Sequence, residues 1–151
     1  MFLFTPLLAF SAFAAFAAFA TFADAKIVDC SATGSTDKFT INSLTLSADT
    51  ASPGDNVSLG LLYTNPRLVT DGMVTTSVTY NFIPLSPTVE PLCNSVPCPL
   101  DPGQHDGSSS LLIPTGISGT VITKIAWTVA NIQVLCIQIT LRVMEKVNAI
   151  F

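Results

Sequence analysis

From residue 119 onward, hydrophobic and polar positions alternate. Val121, Thr123, Ile125, Trp127 and Val129 fall on one side, and Thr120, Lys124, Ala126 and Thr128 on the other, with Ile122 the exception. A period of two places successive side chains on opposite faces of an extended strand. The next run repeats the pattern, Leu135, Ile137, Ile139, Leu141 and Val143 against Gln138, Thr140 and Arg142. Ala130-Asn131-Ile132-Gln133 between them reads as a hairpin connection, so two long antiparallel strands are predicted. Earlier, Val57, Leu59, Leu61 and Tyr63 alternate with Ser58, Gly60 and Thr64, and Val74, Val78, Tyr80 and Phe82 with Thr75, Ser77, Thr79 and Asn81. Phe39 and Ile41 change phase to Leu44 and Leu46 across Asn42-Ser43, which predicts a bulge in a fifth strand. Ile27-Val28-Asp29-Cys30 supplies a sixth.

Turn chemistry separates these runs at Ser52-Pro53-Gly54-Asp55, Thr64-Asn65-Pro66, Asp71-Gly72, the proline-dense stretch from Pro84 to Pro102, and Gly116 with Gly119. Proline presets φ and glycine admits positive φ. After residue 25 there is neither a ten-residue stripe of helical period nor a repeat of 20 to 50 residues. The expected architecture is an all-β sandwich.

The N-terminal stretch is different. Of its first 25 residues 20 are apolar, and they hold seven of the ten Phe. Residues 1–25 read as a secretory signal peptide with a small-x-small cleavage site at Ala23-Asp24-Ala25, Ala18-Phe19-Ala20 being also usable. The competing reading is an uncleaved anchor, because residues 2 to 23 carry no charge and could cross about 30 Å of hydrocarbon. Without this leader, residues 26–151 form one domain with 15 of the chain's 16 charged residues and 29 Ser and Thr. A Ser/Thr-covered surface suits strands with one polar face.

Net charge is -4, and no Lys/Arg cluster is present. Nucleic acid is therefore not expected as a partner. Cys30, Cys93, Cys98 and Cys136 all follow the leader, and an even number in an exported chain points to disulfides. Four cysteines allow three pairings. The five-residue spacing of Cys93 and Cys98 suits a local loop bridge, which leaves Cys30 for Cys136. A zinc site lacks closely spaced Cys pairs at both ends and clustered His, so no metal and no cofactor are expected.

The order of these features resembles the MD-2-related lipid-recognition (ML) domain family, and within it the Niemann-Pick type C2-like sterol and phospholipid transfer proteins. The resemblance runs through Val28-Asp29-Cys30, Pro53-Gly54-Asp55-Asn56-Val57-Ser58-Leu59, Cys93, Cys98-Pro99-Leu100 and Gly103, Ile113-Pro114, Ile117-Ser118-Gly119, Trp127 and Leu135-Cys136-Ile137. It implies an immunoglobulin-like β-sandwich whose two antiparallel sheets enclose an apolar cavity for a sterol, fatty acid or phospholipid tail. It also implies the pairings Cys30–Cys136 and Cys93–Cys98, and no enzymatic activity. The short additional disulfide that sterol-carrying members have after the first strand is missing here, and the segment from Phe82 to Cys93 is slightly longer.

By family position, Phe82, Ile113 and Ile117 are expected near the cavity wall or mouth, and Val121, Ile125, Trp127, Leu135, Ile137 and Ile139 deeper. Tyr63 and Tyr80 would offer hydroxyls at the rim. Each of these residues would equally serve as ordinary sandwich core. His105, the only histidine, lies in Asp101-Pro102-Gly103-Gln104-His105-Asp106-Gly107 beside Ser108, Ser109 and Ser110. This segment reads as a flexible Gly/Ser loop that would not brace a catalytic triad. Asn56-Val57-Ser58 is the sole N-glycosylation sequon. Lys26, Lys38, Lys124 and Lys146 are scattered, which argues against a basic rim for an anionic headgroup.

The leading expectation is a monomeric lipid-binding or lipid-transfer protein. It would act outside the cell or in the endolysosomal or vacuolar lumen, exchanging cargo at a membrane surface. The alternative is a secreted recognition module with a filled core that binds a protein or glycan through its loops. With a single histidine, only weak direct pH dependence is expected.

Overall fold

The computed structural model describes residues 25–32, 34 and 36–145. The leader reading, apart from its last residue, and the sixth lysine-or-arginine position, Lys146, lie outside them. Ten strands follow in chain order: β1 (Lys26–Asp29), β2 (Thr40–Leu46), β3 (Thr50–Ala51), β4 (Asn56–Asn65), β5 (Met73–Tyr80), β6 (Ile83–Pro84), β7 (Thr88–Pro91), β8 (Gly103–Leu112), β9 (Gly119–Val129) and β10 (Ile132–Val143). A single 3₁₀ turn, Leu92–Asn94, separates β7 from β8.

The large sheet runs β1-β10-β9-β5-β6, with β3 also on β10 and β7 also on β5. The small sheet runs β2-β4-β8. The expected all-β sandwich of two sheets is what the chain forms. β9 and β10 are joined by a two-residue turn at Ala130 and Asn131, both with positive φ (50° and 63°). Such a turn carries the right-handed twist of the flanking strands. Pairing already resumes at Ile132↔Val129, and the predicted four-residue connection is shorter because the extra residue is absorbed as an irregularity between Gln133 and Leu135. The phase change at Asn42-Ser43 is a register shift between Ile41 and Ser43 against β4.

Two readings change. The segment containing His105 is no loop: Gly103–Leu112 pairs over its full length with β4, from Asn65↔Gly103 to Asn56↔Leu112. Its alternation is masked because the first four inward positions are Gly103, His105, Gly107 and Ser109, and an aliphatic side chain appears only at the fifth, Leu111. The proline-dense stretch also contains β6 and β7, short edge pieces in which proline is tolerated.

Both disulfides form as expected, Cys30–Cys136 and Cys93–Cys98. The first ties the end of β1 to β10, where the Cys30 N–H also donates to the Cys136 carbonyl at 3.0 Å. Burial divides into two groups. One gathers Phe39, Tyr63, Trp127, Leu135, Ile137 and their neighbours, and the other Ala51, Val57, Ile113, Val121, Leu141 and Val143.

Candidate functional site

Strand register shows how the space between the sheets is filled level by level. In the small sheet, Leu46–Leu59–Ser109 and Leu44–Leu61–Gly107 are opposed triplets running from β2 through β4 to β8. In the large sheet the corresponding rows are Val74–Trp127–Leu135 and Thr76–Ile125–Ile137, from β5 through β9 to β10. On the β2 and β10 side both sheets contribute large apolar groups. On the β8 and β5 side they contribute Ser109 and Gly107 from the small sheet and Val74 and Thr76 from the large one. Small side chains there leave the sheets apart.

The result is a cavity of about 360 Å³ between β5 and β8, within the size range of small-molecule sites. Its apolar walls are Leu59 and Leu61 from β4, Val74 from β5, and Ile125, Trp127 and Ile137 from the large sheet. Its polar side is made by the 108–110 segment of β8, of which Ser109 faces inward, and by Asn94, Ser95 and Glu90 across from it. Among the described lining residues only Glu90 carries charge; the Ser95 hydroxyl reaches its Oε1 at 3.5 Å. Val96, buried beside the Cys93–Cys98 bridge, closes one end.

At the β2 side the interior is solid and aromatic. Phe39 and Tyr63 stack with centroids 5.8 Å apart, and Trp127 meets both edge-on, at 6.2 Å and 5.3 Å. His105 lies against Tyr63 at 5.7 Å, its Nε2 2.7 Å from the Asp101 carbonyl. Burial pushes the Tyr63 hydroxyl above the ordinary tyrosine range, and the Asp106 carboxylate adds to the rise. Such a phenol stays neutral, a fit for an apolar interior.

The expected site residues therefore separate into three groups. Ile125, Trp127 and Ile137 line the cavity together. Tyr63, Leu135 and Ile139 are buried in the same core behind it, while Ile113 and Val121 belong to the second core, with Tyr80 and Ile117 packed against it. The Tyr80 hydroxyl is not at the cavity rim but donates to the Ser118 carbonyl at 2.8 Å. Phe82 departs from its expected place: it is 91% exposed and lies in the turn after β5 with φ +69°. Asn81-Phe82 turns the chain, so the alternation carried through Tyr80 does not reach Phe82. Sequence reasoning missed the β8 serines, Glu90 and the Asn94-Ser95 pair. The signal available for them was the absence of bulk, which periodicity does not register. Asn56, the sequon residue, is exposed at the start of β4, its Oδ1 accepting from the Ser110 hydroxyl at 2.9 Å.

The family model of the ML domain matches residues 24–143. The chain belongs to the ML-domain family. As an ML domain it is similar in fold to a Niemann-Pick type C2 protein from the Japanese carpenter ant, at 10% identity and TM-score 0.61, over 79% of this chain and 99% of the other. It is likewise similar to chicken MD-1 in complex with lipid IVa, at 12% identity and TM-score 0.56, over 80% of this chain and 91% of the other. No curated protein matches it in sequence. The ML sandwich is a lipid-binding fold, and here it has its opening between β5 with β7 on one side and β8 on the other.

Proposed function

We propose that this ML-domain protein is a non-enzymatic carrier that takes one hydrophobic molecule, a sterol or the acyl chain of a phospholipid or fatty acid, into the cavity between β5 and β8. The observation that carries the reading is the cavity itself, apolar on its inner walls and hydroxyl-rich at its mouth. An amphiphile matches that division, its tail against Leu59, Ile125, Trp127 and Ile137 and its polar end at Ser109 and the Asn94-Ser95 pair. Burial of a tail is driven by apolar area, at about 25 cal/mol per Å² before association costs. Glu90 at the mouth, with no lysine or arginine among the described lining residues, disfavours an anionic headgroup and favours a neutral one such as a sterol hydroxyl.

The same reading includes an N-terminal leader at residues 1–25 that directs the chain to the secretory route, action as a monomer outside the cell or in the endolysosomal lumen, and glycosylation at Asn56. A filled-core recognition module lacks support from any feature as specific as this cavity. The test is mass spectrometry of lipids extracted from the purified protein, together with titration of a fluorescent sterol and a fluorescent fatty acid. The expected result is one lipid per protein and tighter binding of the sterol. Absence of co-purifying lipid together with absence of binding of either probe would overturn the proposal.

A further inference from the structure

Among the described residues, two buried side-chain atoms lack a hydrogen-bond partner, Asn65 Oδ1 and Thr123 Oγ1. The Asn65 amide is engaged through its other arm, Nδ2 donating to the Arg67 carbonyl at 2.8 Å. Thr123 has only its hydroxyl to offer, in a residue 2% exposed. Buried hydroxyls in folded proteins are nearly always paired, because an unpaired one has lost its water and received nothing in return. Valine would fill the same space without that penalty, and the inward neighbours of Thr123 along β9 are Val121, Ile125 and Trp127.

Register places the hydroxyl. In the large sheet, Thr76–Ile125–Ile137 is the cavity-lining row nearest the filled core, and Val78–Thr123–Ile139 is the next row. Val78 packs on the filled core and Ile139 belongs to the core around the cavity, so Thr123 stands on the seam between them. Neither row-mate carries a polar side-chain atom. At the other end of the cavity lies the Val74–Trp127–Leu135 row, where Val74 pairs with Glu90 and where Asn94 and Ser95 complete the wall. Trp127 and Thr123 are four residues apart on β9, about 13 Å along a strand. An apolar span thus has a polar group at each end.

We propose that Thr123 is the inner anchor of the cargo, its hydroxyl pairing with a neutral oxygen, a hydroxyl or carbonyl, at the buried end of a lipid whose other polar end sits near Asn94 and Ser95. The Thr123 row and the Thr76 row beside it carry no charged side chain, so an ionised group would be buried there without a counter-charge. The cargo class is therefore a lipid oxygenated at both ends: a sterol hydroxylated on its side chain, or an acyl chain hydroxylated at its far end. This rests on the carrier reading above and adds to it the second polar group.

The test is displacement of a fluorescent sterol or fatty acid from the whole protein by two matched pairs of lipids. One pair is cholesterol and the sterol with a further hydroxyl at the end of its side chain; the other is hexadecanol and the α,ω-diol of the same length. The readout is the affinity ratio within each pair, compared between the parent, Thr123→Val and Thr123→Ser. An added hydroxyl is equally more soluble in water for all three proteins, so that effect cancels. In at least one pair the ratio should favour the doubly oxygenated member about tenfold more in the parent than in Thr123→Val, and Thr123→Ser should keep the preference. The pair that responds identifies the cargo as sterol or acyl chain. The thermal midpoint of Thr123→Val should equal or exceed that of the parent, since the change removes an unpaired group and keeps the shape. Ratios unchanged in Thr123→Val for both pairs, as a trapped water alone would give, would overturn the proposal. So would a lowered midpoint, the sign of a hydroxyl already paired within the protein. The two readings fail distinguishably: binding of all four lipids with unchanged ratios refutes the anchor and leaves the carrier, whereas no binding of any lipid or probe removes the carrier and the anchor with it.

Discussion

The two cores of this sandwich are built by the same pair of sheets and differ most in what β8 contributes to each. Near the 113–118 turn, β8 contributes Leu111, packed with Val57, Ile113, Val121, Leu141 and Val143 into a filled interior. A few residues earlier, β8 contributes Ser109 and Gly107 opposite Leu59 and Leu61, and the interior opens into the cavity. The pairing of β4 with β8, of β5 with β9 and of β9 with β10 continues across both regions, while the outer neighbours change from β7 and β1 at the cavity to β6 and β3 at the filled end. What separates a packed domain from a container is side-chain volume at two positions of an edge strand, because interiors otherwise fill to crystal-like density.

That difference can be broken first at its filled end. Leu141→Ala, in a side chain 1% exposed, should destabilise the protein by about 2–5 kcal/mol, while Ile125→Ala at the cavity wall should cost distinctly less, since water and ligand space already adjoin it. Paired chemical denaturation curves check this, and equal losses would mean that the cavity region is packed like the rest. The next effect has the opposite sign. Gly107→Val puts a β-branched side chain at a strand position where an added Cβ meets nothing nearer than the Tyr63 ring at 3.9 Å. Stability should rise by about 0.5–1 kcal/mol, and sterol binding should be lost as the cavity narrows; calorimetry and the fluorescent titration read the two changes.

The smallest effect concerns pH. Tyr63 has its pKa raised by burial and by Asp106. A raised pKa leaves its contribution intact below the unfolded value of about 10 and removes it as pH climbs through the folded value. Thermal midpoints should therefore be flat on this account up to about pH 10 and decline above it, and Tyr63→Phe should flatten that decline. A steeper fall in Tyr63→Phe would show that another group governs the alkaline limb.

Much of the fold was legible in the sequence because large side chains mark faces. The alternation of β9 and β10, the phase slip at Asn42-Ser43 and the four cysteines each correspond to a structural feature. β8 was not legible, since His105, Gly107 and Ser109 face inward without an apolar signal, and only pairing with β4 identifies it as a strand. The candidate site was legible in part for the same reason. Ile125, Trp127 and Ile137 announce an inner wall, but the opening beside them is made by small residues, and smallness resembles loop composition. Phe82 was misplaced by extending an alternation one step past Tyr80, across a turn whose positive φ values no hydrophobic period encodes.

Both disulfides join parts of the chain without crossing the gap between the layers. Cys30–Cys136 binds β1 to its own sheet partner β10, and Cys93–Cys98 closes a short loop after β7. The spacing of the two sheets is thus set by side-chain contact, by the connecting turns and, on the aromatic side, by the Phe39 N–H donating to the Val134 carbonyl of β10 at 2.8 Å. On the β5 and β8 side no disulfide fixes the distance between the layers, so the width of the cavity is decided by the side chains that line it.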